Sequence, residues 1–297
     1  MELSQKIIGS LIGFAFLFSC ESSISTVKPT EVPSTKHTIF STDFTPMGEF
    51  TDGIEGPAID SKGMLYVVNY QKQGTIGQID DKGQCSIYLT LPEGSIGNSI
   101  QFDEADNMYV ADYQGHVIYK ISPEFTVDSL VYEPLFNQPN DIALAKNGNV
   151  YASDPNWGES TGNLWLIKNG KSFLQEKNMG TTNGVVLSLD EKKLYVNESA
   201  QRNVWVYSVN QDGSLTDKTL FHHFKDHGMD GMKIDKNDNL YIARYCAGLI
   251  AVISPKGELL DEYPLQGDLP TNLVFSKNQK TIFVTMQKRK GIEKIEL

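Results

Sequence analysis

Six oxygen-bearing side chains recur at one place in six successive repeats: Glu55, Asn98, Asn140, Asn183, Asp230 and Asn272. Five of them lie eleven residues before an aromatic (Tyr66, Tyr109, Tyr151, Tyr241 and Phe283), and Asn183 lies twelve before Tyr195. Carboxylate and amide oxygens are the donors that a hard divalent cation takes. Any one of these residues alone is an ordinary turn former, as in Pro139-Asn140-Asp141 or Asp230-Gly231. Six in register imply a shared destination, because other turns in the repeats vary freely. Two carboxylates aimed into one narrow space repel, and one is neutralised unless a cation sits between them.

The elements around these residues predict how they meet. Each repeat opens with a short apolar strand and turns through Asp, Asn, Gly or Lys. An alternating strand follows, such as Leu65-Tyr66-Val67-Val68 or Leu240-Tyr241-Ile242. A third strand comes next, such as Val204-Trp205-Val206-Tyr207, and then a more polar fourth, such as Cys85-Ser86-Ile87-Tyr88-Leu89. These are short period-two runs punctuated by turn residues, and no segment has helical periodicity. The period of about 41 to 47 residues with four strands is that of a propeller blade. The expected fold is therefore all-β: a six-bladed β-propeller of four-stranded antiparallel blades. The last copy ends after three strands, so an N-terminal strand, Thr38–Phe40 or Met47–Phe50, is expected to close the ring. In a propeller the innermost strands begin at one mouth of the central channel, which brings the six oxygens together.

The motifs Glu55-Gly56-Pro57, Gln138-Pro139-Asn140-Asp141, Thr182-Asn183-Gly184 and Asp230-Gly231 resemble those of the SMP-30/gluconolactonase/regucalcin-like propellers. The resemblance runs over about residues 45 to 297. It implies one catalytic divalent metal held by Glu55, Asn140, Asn183 and Asp230, with Ca²⁺ the leading ion and Mg²⁺, Mn²⁺ or Zn²⁺ as alternatives. It implies hydrolysis of a lactone, the metal polarising the ester carbonyl and Asp230 acting as general base or nucleophile. Gln138 stands where many sugar lactonases carry an arginine, so the substrate pocket departs from theirs. Gln138, Asn98, Asp154, Arg244 and Asn272 are the expected substrate-binding residues, with Trp157 and His227 as further pocket candidates. A non-catalytic binding propeller, or a phosphotriesterase on the same metal site, are the other functions that fit.

The rest of the chain bounds these readings. Lys6, the apolar run Ile7 to Phe18 and Ser19 form an export signal over residues 1–19. Leu17-Phe18-Ser19-Cys20 resembles a bacterial lipobox, which predicts an exported protein lipid-anchored at Cys20, on the periplasmic side or the cell surface. Residues 20–37, rich in Ser, Thr and Pro, read as a tether, and the folded domain is expected over 38–297. The net charge of −11 disfavours nucleic acid and anionic lipid heads. The expected partner is a small-molecule lactone or ester, with membrane contact only through the lipid, and the protein is expected to be a monomer. Cys85 and Cys246 form no CxxC pattern and are expected as buried thiols. Gly158-Glu-Ser160-Thr-Gly162 mimics a serine-hydrolase elbow, but a strand rather than a helix follows it. Asp235 to Asn239 lacks the Gly and Glu of a calcium loop and reads as a hairpin turn. His222, His223 and His227 read as a solvated loop, and His116 as a packed histidine.

Overall fold

The computed structural model describes residues 39–297. The export signal, Cys20 and the tether lie outside the described residues. Six four-stranded antiparallel sheets follow one another along the chain. They span residues 50–90, 97–132, 142–179, 182–223, 232–264 and 270–296, called blades 1 to 6. In blades 1 to 5 the strands run in sequence order from the innermost outward, and in blade 6 the outermost strand is Thr42–Asp43 from the start of the described chain. The molecule is the six-bladed propeller that the repeats predict.

Burial follows the layering. The second strand of blade 1, Leu65–Tyr70, is buried at every residue, whereas its fourth strand, Cys85–Thr90, has none fully buried. Six apolar clusters form the core, one between each pair of neighbouring blades. Ala58, Tyr66 and Val68 of blade 1 pack on Ile100, Met108 and Val110 of blade 2. The repeated aromatics belong to these clusters. Tyr66 is 6% exposed, and its hydroxyl donates to Asp60 in the hairpin turn at the end of the blade away from the ring residues. The aromatic half of the repeat thus carries packing, and only the oxygen half is available for chemistry.

The closing strand is shorter than expected and lies between the two segments proposed for it. Thr42–Asp43 pairs with the last strand, Gly291–Glu296, placing Thr42 opposite Lys294 and Asp43 opposite Glu293. Phe50 instead opens the innermost strand of blade 1. Side chains reinforce this two-residue closure. The Glu293 carboxylate, fully buried, accepts from Ser41 Oγ and from the backbone N–H groups of Gln266 and Gly267, and pairs with Arg289.

The innermost strands are laced to one another around the axis. Thr271 Oγ1 of blade 6 donates to the Ile54 carbonyl of blade 1, and Asn98 Nδ2 of blade 2 to the Asn140 carbonyl before blade 3. Val185 N–H of blade 4 donates to Asp141 Oδ2, and Gly231 N–H to the Thr271 carbonyl. Gly56 makes one close approach between backbones. Its φ is +58°, and a Cβ there would fall 2.5 Å from the Asn98 carbonyl oxygen and 2.6 Å from Ser99 Cα, both backbone. Gly56→Ala therefore meets left-handed strain and a clash that cannot rotate away, about 2–5 kcal/mol together. Gly48→Ala has φ +89° but nothing within 4 Å, so only the strain of about 1–2 kcal/mol applies. Urea midpoints of the two variants check the ordering; equal losses would refute the close approach.

Candidate metal centre

Backbone irregularity aims the ring residues. In blade 3 the Asn140 N–H donates to the Ser153 carbonyl, while the Ser153 N–H donates to the Asp141 carbonyl. Asp230 and Gly231 share Ala243 in the same way in blade 5. Two residues thus oppose one, which is a bulge, and it turns the first side chain out of the sheet alternation. Register shifts fall at the same height in blades 1, 2 and 4, at Glu55, Asn98 and Asn183.

Blade 6 is out of step. The pairs Ala58–Tyr66, Gln101–Tyr109, Ala143–Tyr151 and Lys233–Tyr241 are eight residues apart, but Val186–Tyr195 and Val274–Phe283 are nine apart. The extra residue lies in the hairpin turn. In blade 4 it produces the spacing of twelve. In blade 6 it is hidden, because Asn272 sits one residue further along its strand. Thr271 occupies the ring position there, and Asn272 matches Asp141. Both side chains accept the next residue's N–H, Asn272 from Leu273 at 2.9 Å and Asp141 from Ile142 at 3.0 Å.

Glu55, Asn140 and Asn183 are buried, at 7%, 6% and 3% exposure, while Asp230 keeps some accessible surface in the channel. Burial, more than any neighbour, pushes the Glu55 carboxyl up to about 7, with the Asp141 charge adding to it. Asn272 and Asp230 bond to the Glu55 side chain and pull the other way. Asp230 is ringed so deeply that its carboxyl is raised well above the usual range, first by lost hydration and then by the Glu55 charge; a bond from Asn183 partly offsets this. Asp141, 1% exposed, adds a third negative group, eased by Lys233 and by two backbone N–H bonds. Asp141 is the residue that the sequence reading passed over. Its visible signal is a carboxylate where blades 1, 4 and 5 have glycine and blade 2 has serine.

Two observations fit these residues to a cation. Asn140 Oδ1 and Asn183 Oδ1 are buried and have no hydrogen-bond partner, at a cost that native structures rarely accept. They stand with two carboxylates that repel each other. Among the described residues no group of three or more His, Cys, Asp or Glu could hold a metal. A centre here depends on amide oxygens as much as on carboxylates, which suits Ca²⁺ or Mg²⁺ better than Zn²⁺.

Other expected pocket residues spend their side chains on holding loops. Asp154, fully buried, accepts the N–H groups of Asn137 and Gln138, both at 2.7 Å, and Trp165 Nε1 at 3.0 Å. It thereby fixes Gln138 rather than facing substrate itself. Arg244, 2% exposed, donates to the Asp226 carbonyl at 2.6 Å and lies 3.6 Å over the Phe224 ring. Asn98 is partly exposed and reaches the Asn140 carbonyl at 3.3 Å. Gln138 is partly exposed, and its side chain bonds the Tyr113 hydroxyl. Trp157 lies on the hairpin loop after Asn156, and His227 is exposed on the loop before blade 5.

The decoys resolve as turns and packing. Ser160 lies in a hairpin with φ +54°, between strands Val150–Asn156 and Thr161–Lys168. Asp235 Oδ1 caps its own turn through the Asn237 and Asn239 N–H groups. His222 and His223 belong to the outer strand of blade 4 and bond Gly257 and Asn203. His116 bonds the Phe136 carbonyl. Cys85 is a free thiol that does not pair with Cys246, and both residues are only half-buried, so the expectation of two buried thiols is not met.

Known proteins share this architecture. The pattern of the SMP-30/Gluconolactonase/LRE-like region matches residues 54–288. A gluconolactonase of Zymomonas mobilis is 32% identical over 215 residues, 63% of this chain and 60% of that protein. The diisopropyl-fluorophosphatase of Loligo vulgaris is 25% identical over 290 residues, 85% of this chain and 91% of that protein. Among solved structures, a gluconolactonase from Xanthomonas campestris superposes with TM-score 0.73 at 19% identity, covering 91% of this chain and 99% of its own. A calcium-binding protein, regucalcin, from Agrobacterium tumefaciens does so with TM-score 0.75 at 15% identity, covering 87% and 95%. The two structures speak to the fold. With the motifs at the channel mouth and a match over most of the propeller, the chain belongs to the SMP-30/gluconolactonase/LRE-like family of lactonases and related hydrolases.

Proposed function

We propose that this protein is a lactonase that works with one divalent cation, Ca²⁺ first, at the propeller axis. The observation that carries the reading is the pair of unpartnered amide oxygens, Asn140 Oδ1 and Asn183 Oδ1, beside the carboxylates of Glu55 and Asp230. Glu55, Asn140, Asn183 and Asp230 would hold the ion. When bound, it supplies Lewis-acid polarisation of the ester carbonyl and stabilises the oxyanion. The Glu55 carboxylate is held by bonds from the Gly56 N–H and from Asn272. Asp230, the more accessible carboxylate, is the group that acts at the carbonyl carbon, by taking a proton from water or by attacking directly. The names of the Zymomonas mobilis gluconolactonase and of the regucalcin structure support substrate class and ion.

A second reading has one observation in its favour: a relative that matches across most of both chains is a diisopropyl-fluorophosphatase. A phosphotriester would use the same oxygens. Metal analysis of the purified domain, followed by proton-release assays on lactones and on a fluorophosphate, separates the two. The expected result is about one ion per chain and lactone turnover that EDTA abolishes and Ca²⁺ restores. Turnover that EDTA leaves untouched would sink the metal-dependent reading, and turnover of the fluorophosphate alone would select the second.

A further inference from the structure

Two tyrosines stand near the ring residues. Tyr245 follows Arg244, the last residue of strand Leu240–Arg244. Two residues earlier, the Ala243 carbonyl accepts the Asp230 N–H at 2.9 Å, so Tyr245 leaves the sheet at the height of Asp230. Its phenol donates to Gln287 Oε1 at 2.5 Å, and Gln287 Nε2 donates to the Asp52 carbonyl at 3.0 Å. The second bond decides the first: an amide nitrogen turned to a carbonyl leaves its oxygen for the phenol. The Tyr245 proton is therefore committed. Burial, and then the Asp230 charge, push the phenol up to about 12, so it stays neutral.

The same place in blade 2 carries Tyr113. It follows Asp112, the last residue of strand Met108–Asp112, as Tyr245 follows Arg244. Its hydroxyl bonds the side chain of Gln138. In a ring of six sheets, blades 2 and 5 face each other across the axis. Both tyrosines are partly exposed. Arg244, the nearest cation in sequence to Tyr245, is held by Asp226 and Phe224. Each tyrosine and its glutamine thus spend polar capacity on each other, while each tyrosine keeps some accessible surface.

The geometry points to Tyr245 and Tyr113 as specificity-determining walls that select an uncharged lactone with a flat aromatic or apolar substituent over a polyhydroxylated one. This rests on the lactonase reading above. Ring faces reward apolar area and stacking. Sugar hydroxyls would find wall donors and acceptors already engaged, and unpaired polar groups weigh heavily against a ligand.

The test compares dihydrocoumarin, a lactone fused to a benzene ring, with glucono-1,5-lactone, on the full chain with saturating Ca²⁺. Wild type is expected to favour dihydrocoumarin in kcat/KM by about tenfold or more. Tyr245→Ala is expected to lower kcat/KM for dihydrocoumarin about tenfold, mainly through KM, and to lower that for glucono-1,5-lactone by no more than about threefold. Tyr245→Phe keeps the ring and is expected to keep the preference. Calorimetric Ca²⁺ binding stays the same in all three proteins. If wild type prefers glucono-1,5-lactone, or Tyr245→Ala changes both substrates alike, the inference falls and the lactonase reading stands. If wild type hydrolyses neither lactone, the lactonase reading falls and takes the inference with it.

Discussion

Asp230→Asn gives a folded propeller whose lactone turnover is lower by about 10²–10⁴-fold, the range expected for loss of a positioned proton-transfer group. The substitution keeps shape and one donor oxygen, so packing around Ala243 and Asn183 is undisturbed. It removes the more accessible of the two ring carboxylates, and accessible surface is what a water or an ester carbonyl must reach. Glu55, at 7% exposure, is too enclosed to replace it. The loss falls on kcat rather than on KM, because Asp230 acts on the reacting carbon. A variant within about threefold of wild type would remove Asp230 from the chemistry.

The same change has an opposite effect on stability, and this separates a catalytic role from a structural one. In the metal-free protein the nearby Glu55 charge raises the Asp230 carboxyl further above its usual range. A neutral amide at position 230 ends that repulsion, so metal-free Asp230→Asn melts higher than metal-free wild type at pH 8. Activity lost with stability gained is the signature of a site strained for function. Activity lost together with a lower melting temperature would mean that Asp230 holds the fold.

Much of this was legible beforehand, and the parts that were not have physical causes. Blade count and strand order follow from a repeat that packs against copies of itself, so each blade shows the same signal. Glu55, Asn140, Asn183 and Asp230 stood out because a bulge fixes them at equal height in their strands. Asn272 matched the spacing by coincidence, since a longer hairpin turn offset a shift of one residue. Turn length and ring position are summed in a sequence offset, and only pairing register separates them. Asp154 and Arg244 sit at strand ends facing the mouth, where a polar residue reads as pocket-lining. Whether it faces the channel or turns back to hold a loop depends on partners such as Gln138 and Asp226, which spacing does not show. Asp141 escaped notice because its neighbour Asn140 already explained the turn.

Stripped of metal, the propeller is expected to lose stability as pH rises from about 5 to about 8. Below its ordinary value of 4.5, Glu55 is protonated both folded and unfolded, and contributes nothing to the difference. Above that value the unfolded chain releases the proton, while the folded protein holds it until about 7. The unfolded state then binds fewer protons, so stability falls as pH rises, and the loss is complete once the folded carboxyl also ionises. For Glu55 alone this amounts to about 3 kcal/mol. Asp230 and Asp141, raised for the same first reason, add in the same direction. Carboxylates held below their usual range, such as Asp103, Asp106 and Asp190, work with the opposite sign. Their contribution is already complete above pH 5, so the interval from 5 to 8 reports mainly on raised carboxylates such as those of the ring. In EDTA the melting temperature is expected to drop by about 6–12 °C over that interval. Saturating Ca²⁺ abolishes the slope, because the ion takes the proton's place between the carboxylates and its affinity rises with pH. Glu55→Gln flattens the metal-free curve as well, since a neutral side chain has no proton to lose. A metal-free melting temperature that is level or rises from pH 5 to 8 would show that the ring carboxylates are stabilised without a cation, and the case for a metal centre would go with it.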